Sequence, residues 1–177
     1  MTYACNCVWL IVPVLLLNAL FMKRLPKGYQ PEEFSRDIPG WLGVGENGLR
    51  PAVFFLPVLM RLSAATAIQK AGWFLYLSGL VLYSLAWALQ IRYPDSAWSV
   101  SRWGFLAPAY TPLLWLSGIA LIGDSLFVPV RYSSWTYLGL SLVFLAFHNS
   151  HAWRVYSRLR GNENAGLCIA TCVQLPK

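Results

Sequence analysis

The stretch 71-AGWFLYLSGLVLYSLAWALQI-91 runs for 21 residues without a charge. A helix of that length is about 30 Å long at 1.5 Å per residue, which matches the hydrocarbon thickness of a bilayer. Lys70 precedes it, Arg92 closes it, and Trp73 lies near one end, where interfacial aromatics gather. The stretch therefore predicts a transmembrane helix.

Four further apolar runs surround it. Val8 to Met22 extends back to Tyr3 and stops at Lys23-Arg24-Leu25-Pro26-Lys27. Pro51 to Ile68 is interrupted by Arg61 and bent by Pro57. Phe105 to Gly123 is uncharged and carries Pro108 and Pro112. Trp135 to Trp153 begins in aromatics and gives way to Arg154, Arg158 and Arg160. The expected fold is an all-α, polytopic integral membrane bundle of five transmembrane helices, or four if the run from Pro51 does not span. A single transmembrane domain would cover 1–160, with spans near 3–22, 51–69, 71–91, 105–123 and 135–153. Residues 161–177 would form a C-terminal tail.

Composition agrees. The chain is 57% hydrophobic and 12% charged, against about 25% charged for soluble proteins. A soluble domain of this size leaves too much surface exposed to hide that apolar content. The net charge of +7 comes from short basic clusters between apolar runs, where Lys and Arg meet anionic headgroups. No basic stretch interleaved with stacking aromatics is present, so nucleic acid is not an expected partner; the lipid bilayer is.

Charge bias orients the chain. With five spans, one face receives eleven Lys and Arg and the other receives only Arg61, Lys70 and Arg131. With four, the split is eight against six and the bias disappears. The positive-inside rule thus favours five spans, an external N-terminus and a cytoplasmic C-terminus. A multi-pass protein of a bacterial inner (plasma) membrane is the expected location. Cys5 and Cys7 then face away from Cys168 and Cys172, so the two pairs cannot form one metal site within a chain, and neither pair has C-x-x-C spacing.

Ionisable and polar groups inside a membrane are costly, so each is a candidate for function. Arg61 and Asp124 fall at the same face and form a candidate pair that a ligand can use. Tyr110 and Thr111 lie between Pro108 and Pro112, where a broken helix frees carbonyls that protein or water must satisfy. Broken helices recur at transporter binding sites.

At the opposite end, His148 and His151 share one helical face, roughly continued by Val155 and Arg158. They are candidate acid/base groups, with Asp95 as the orienting carboxylate and Arg92 and Arg154 as headgroup contacts. They are also weak candidates for metal ligands, since no Glu follows the first His. The sequence names no cofactor. Two functional classes remain open: binding or transport of a small apolar or amphipathic molecule, or support of a membrane assembly as a homo-oligomer or subunit; and a membrane-embedded enzyme acting on a lipid-like substrate at the cytoplasmic face.

Two family resemblances are partial. Five helices and abundant Trp resemble the translocator family, but Leu49-Arg50-Pro51-Ala52-Val53-Phe54-Phe55 lacks that family's tryptophan- and proline-rich loop pattern. Arg92-Tyr93-Pro94 resembles the Arg-His-Pro motif of small membrane methyltransferases, with Tyr in place of His and no acidic pair near the C-terminus. No function is carried over from either.

Overall fold

The computed structural model describes the backbone of residues 6–173, with the side chains of Lys27 and of 163–173 set aside. The described residues are 74% helical. In order it runs α1 (Val8–Met22), a 3-10 turn (Lys27–Tyr29), α2 (Pro31–Phe34), α3 (Gly40–Phe55), a second 3-10 turn (Leu56–Leu59) and β1 (Met60–Leu62). Then follow α4 (Ala67–Arg92), α5 (Arg102–Tyr110), α6 (Pro112–Ile122), β2 (Gly123–Leu126) and α7 (Ser134–Val173).

Two helical segments among the described residues are long and apolar enough to cross a membrane: α4, and the run Arg102–Ile122 formed by α5 and α6. Helix α1 is apolar but has only 15 residues. The α4 start is fixed by a capping box: Thr66 Oγ1 accepts from Gln69 N at 3.2 Å, and Gln69 Oε1 accepts from Thr66 N at 3.0 Å. Phe74, Leu77, Val81 and Leu85 form an exposed apolar stripe along the same helix.

The sequence reading is corrected at two places. The run Pro51–Ile68 is not one helix. Its first residues belong to α3, which starts eleven residues earlier at Gly40 and ends at Phe55, its last two open α4, and Arg61 lies in a strand between them. The all-α expectation gives way there to a small antiparallel ladder in which Met60 pairs with Leu126 and Leu62 with Gly123. The second correction is the tail, because α7 continues as helix to Val173.

Helix α4 packs on α6 and α3 packs on α7. The first contact is backbone to backbone. A Cβ on Gly118 would lie 2.5 Å from Tyr76 N, and one on Gly79 would lie 2.5 Å from Trp115 N. Gly72 joins this seam, with a Cβ there 3.1 Å from Gly118 O, so small residues let the two backbones approach closely. Gly139 of α7, by contrast, faces open space. The core gathers Leu10, Ile11 and Val14 of α1 with Tyr76, Trp115, Leu116, Ile119, Tyr137 and Phe144.

Proline breaks are closed by side chains of neighbouring helices. Pro108 cannot donate to Gly104 O, and Gln90 Nε2 takes that carbonyl at 2.7 Å. Pro57 leaves Val53 O free, and Tyr137 OH donates to it at 3.1 Å. At the α5–α6 break, Asn149 Nδ2 donates to Ala109 O at 3.2 Å.

Candidate functional site

Helix α3 carries Glu46 and Arg50 one turn apart, and its buried positions Leu42, Glu46 and Val53 define the face set against α7. Antiparallel packing on α7 brings that face to His148 and His151. A Cβ on Gly45 would collide with the ring of Phe147, so the absence of a side chain there allows the two helices to approach at the level of the histidines.

Glu46 is 2% exposed, and its carboxylate is fully engaged. Oε1 accepts from Arg50 and faces His148 Nδ1 at 3.0 Å, while Oε2 faces His151 Nδ1 at 2.6 Å. Three donors converging on one carboxylate is how a protein holds a buried negative charge, since a lone ion would lose its hydration uncompensated.

The two histidines then differ. His151 Nε2 meets Phe34 O at 2.8 Å. A carbonyl only accepts, so Nε2 carries a hydrogen and the ring is held from both sides. Phe34 also stacks against it, with centroids 4.5 Å apart. His148 bonds Glu46 through Nδ1 alone, packs parallel to Phe144, and lines a cavity. The stripe continues as expected: Val155 is buried, and Arg158 donates to Arg36 O and Glu33 O, tying α7 to α2.

The cavity has a volume of about 800 Å³, within the range of small-molecule sites. Its wall is mostly apolar: Val8, Ile11, Val14 and Leu15 from α1, Phe54 and Phe55 from α3, with Trp115 and Phe144. Its polar lining is unevenly placed. Asn18 lies toward the C-terminal end of α1 and is joined to Tyr83 by a hydrogen bond from the tyrosine hydroxyl; Tyr29, Arg50 and His148 complete it. All five sit toward the α2 end of the bundle, and the end near the β ladder is hydrocarbon. Helix α1 rests mainly on α4 and the second 3-10 turn. Leu15 and Met22 on one side and Phe55 and Val58 on the other line the cavity and are also exposed outside, so it opens sideways between α1 and α3.

Most other candidates lie away from this site. Arg61 and Asp124 sit on the paired strands without an ion pair. The Arg61 guanidinium lies over the Phe127 ring at 5.0 Å, and Asp124 accepts from Gln69 and Ser125. Tyr110 OH donates to Trp103 O and Thr111 Oγ1 to Ala107 O; neither lines the cavity, though Pro108, Ala109 and Pro112 do. Asp95 is exposed and, among the described residues, bonds to neither histidine; Arg92 and Arg154 are exposed as well. Among the described residues, no group of three or more His, Cys, Asp or Glu is arranged to hold a metal. The carboxylate that orients the histidines is Glu46.

No known protein family, curated protein or solved structure matches the chain. The site is therefore read from its own geometry.

Proposed function

We propose that this protein is a five-span membrane bundle that binds a small amphipathic molecule in the cavity between α1, α3, α4 and α7. The spans are α1, α3 with the turn after it, α4, α5–α6, and the first half of α7. The β ladder lies at the external face, and the α2 end, with its basic residues, lies at the cytoplasmic face. The observation that supports binding is the graded wall: an apolar chain fits the ladder end, and polar groups await its head at the other.

The test is chemical. Protein purified in mild detergent would be extracted with organic solvent, and the extract quantified by mass spectrometry. One apolar or amphipathic molecule per chain is expected, reduced severalfold by Leu15→Trp with Val58→Trp, which fill the opening from partly exposed positions. A wild-type protein that carries no such molecule, and takes none up from a lipid extract, overturns the reading. Cysteines placed singly at Arg36 and at Ser125, in a chain whose Cys5, Cys7, Cys168 and Cys172 are replaced by Ala, test the orientation. A membrane-impermeant thiol reagent added to intact cells should label the second and spare the first; the reverse pattern refutes it.

A second reading has its own observation. His148 has Nδ1 fixed by Glu46 and borders the cavity, the arrangement of an oriented acid/base group. An enzyme acting on the bound molecule would lose turnover, while keeping binding, in His148→Gln.

A further inference from the structure

We infer that the head of the bound molecule is anionic, so that the ligand class is a single-chain carboxylate amphiphile such as a long-chain fatty acid. This deepens the binding role proposed above and rests on it. Charge counting at the α2 end carries the inference. Glu46 supplies one negative charge, and both of its oxygens are consumed by Arg50, His148 and His151. Arg50 supplies one positive charge. His151 faces acceptors through both ring nitrogens, which suits the imidazolium and adds a second. The cluster is left with positive charge in surplus.

Arg50 is also under-used. Its guanidinium has five N–H donors, and among the described residues its bonding is to Glu46 alone. Its side chain is half exposed and lines the cavity, next to His148. Donors held on a charged group in apolar surroundings favour an acceptor that is itself charged, and a carboxylate matches the guanidinium fork in a bidentate manner. Asn18, pinned through its oxygen by Tyr83, keeps its amide N–H groups for the same region. No carboxylate other than Glu46 lines or borders the cavity among the described residues, so nothing there repels an anion. A second acidic side chain would have pointed to a cationic head instead.

The length of the site suits one acyl chain. From Val8 to Met22, both on its wall, α1 rises about 21 Å at 1.5 Å per residue. The side opening between α1 and α3 lets a chain enter from the hydrocarbon without its tail crossing water.

The experiment uses the full chain in nanodiscs at pH 8, with radiolabelled oleate as the probe and the signal of empty nanodiscs subtracted. Unlabelled oleate, oleyl alcohol and methyl oleate compete. The inference expects saturable oleate binding, displaced at least tenfold better by oleate than by the two uncharged analogues. Arg50→Gln should remove that preference by weakening oleate, whereas Arg50→Lys should keep part of it. Should Arg50→Gln not fold, the comparison of the three competitors on the wild type still decides. Equal competition by acid, alcohol and ester overturns the anionic head and leaves the binding role standing. Absence of saturable oleate binding, in a protein whose solvent extract still holds an amphipathic molecule, overturns the anionic head alone; with an empty extract and no uptake from lipid as well, it overturns both.

Discussion

Replacing Glu46 by Ala should be among the most damaging single changes in the bundle. The residue is 2% exposed and receives three donors, from Arg50, from His148 at 3.0 Å and from His151 at 2.6 Å. Truncation leaves the buried His151 imidazolium without its counter-charge, with the half-exposed Arg50 guanidinium close by. Breaking a buried pair by removing one partner costs about 3–5 kcal/mol. Glu46→Gln should be milder. Its amide oxygen can still accept from Arg50 and His148, and its amide N–H can donate to His151 Nδ1. His151 then becomes neutral and keeps its bond to Phe34 O. What is lost is the charge assistance, which roughly doubles a hydrogen bond, so the expected cost is about 1–2 kcal/mol. The double replacement Glu46→Met, His151→Leu should recover much of the Ala loss, because an apolar pair of similar volume leaves fewer groups unpaired. Equilibrium unfolding in mixed micelles, titrated with denaturing detergent and followed by circular dichroism, gives the three values. A Glu46→Ala protein within about 0.5 kcal/mol of wild type, the size of an ordinary surface change, would refute the view that this carboxylate holds α3 on α7. So would a Gln variant no better than Ala.

Two other predictions concern the scaffold. Gly118→Ala places a Cβ 2.5 Å from Tyr76 N and 2.7 Å from Gly72 O, so α4 and α6 must part, at about 1–3 kcal/mol for overpacking. Gly139→Ala, which meets open space, should be neutral or stabilising by up to about 1 kcal/mol from helix propensity; the same unfolding titration compares them, and equal losses would refute the packing argument. Gln90→Leu should cost about 1–3 kcal/mol by stranding Gly104 O. Adding Pro108→Ala restores an N–H for that carbonyl, so a double-mutant cycle should show the pair less damaged than the sum; strict additivity refutes the link.

How far these features could be read in the sequence depended on how each signal is written. The stretch Ala71–Ile91 was legible as one long apolar helix because 21 residues pass without a charge or a proline, and α4 covers it. The histidine face was legible because i, i+3 spacing fixes it on any helix. Helix α3 was hidden. Gly40, Gly43, Gly45 and Gly48 lower helix propensity, and Glu46 and Arg50 look like loop charges when apolar content is the guide. The signal that would have found them is the spacing Leu42, Glu46, Val53 with Arg50 one turn after Glu46. It marks a helix whose inward face contains a carboxylate that needs partners, and the two histidines are the natural ones. Asp95 was the nearer carboxylate along the chain but sits on an exposed loop. The proline pair in α5–α6 points to freed carbonyls; that Gln90 takes the one freed by Pro108, and that Asn149 bonds Ala109 O at the break, was beyond reach, because those bonds depend on how helices far apart in sequence are juxtaposed.

In the membrane arrangement proposed above, with a guest bound in the cavity, the side opening between α1 and α3 would change the concentration that governs occupancy. A guest arriving through it is drawn from the hydrocarbon phase, so saturation follows its mole fraction among the lipids rather than its amount in water. Diluting the aqueous buffer around vesicles would leave a sparingly soluble guest in place, whereas fusing in empty lipid would strip it. For the same reason, the barrier to exchange is the sideways parting of Leu15 and Met22 from Phe55 and Val58, so stiffer or more ordered bilayers should slow turnover of the guest without altering how much is held at equilibrium for a given activity.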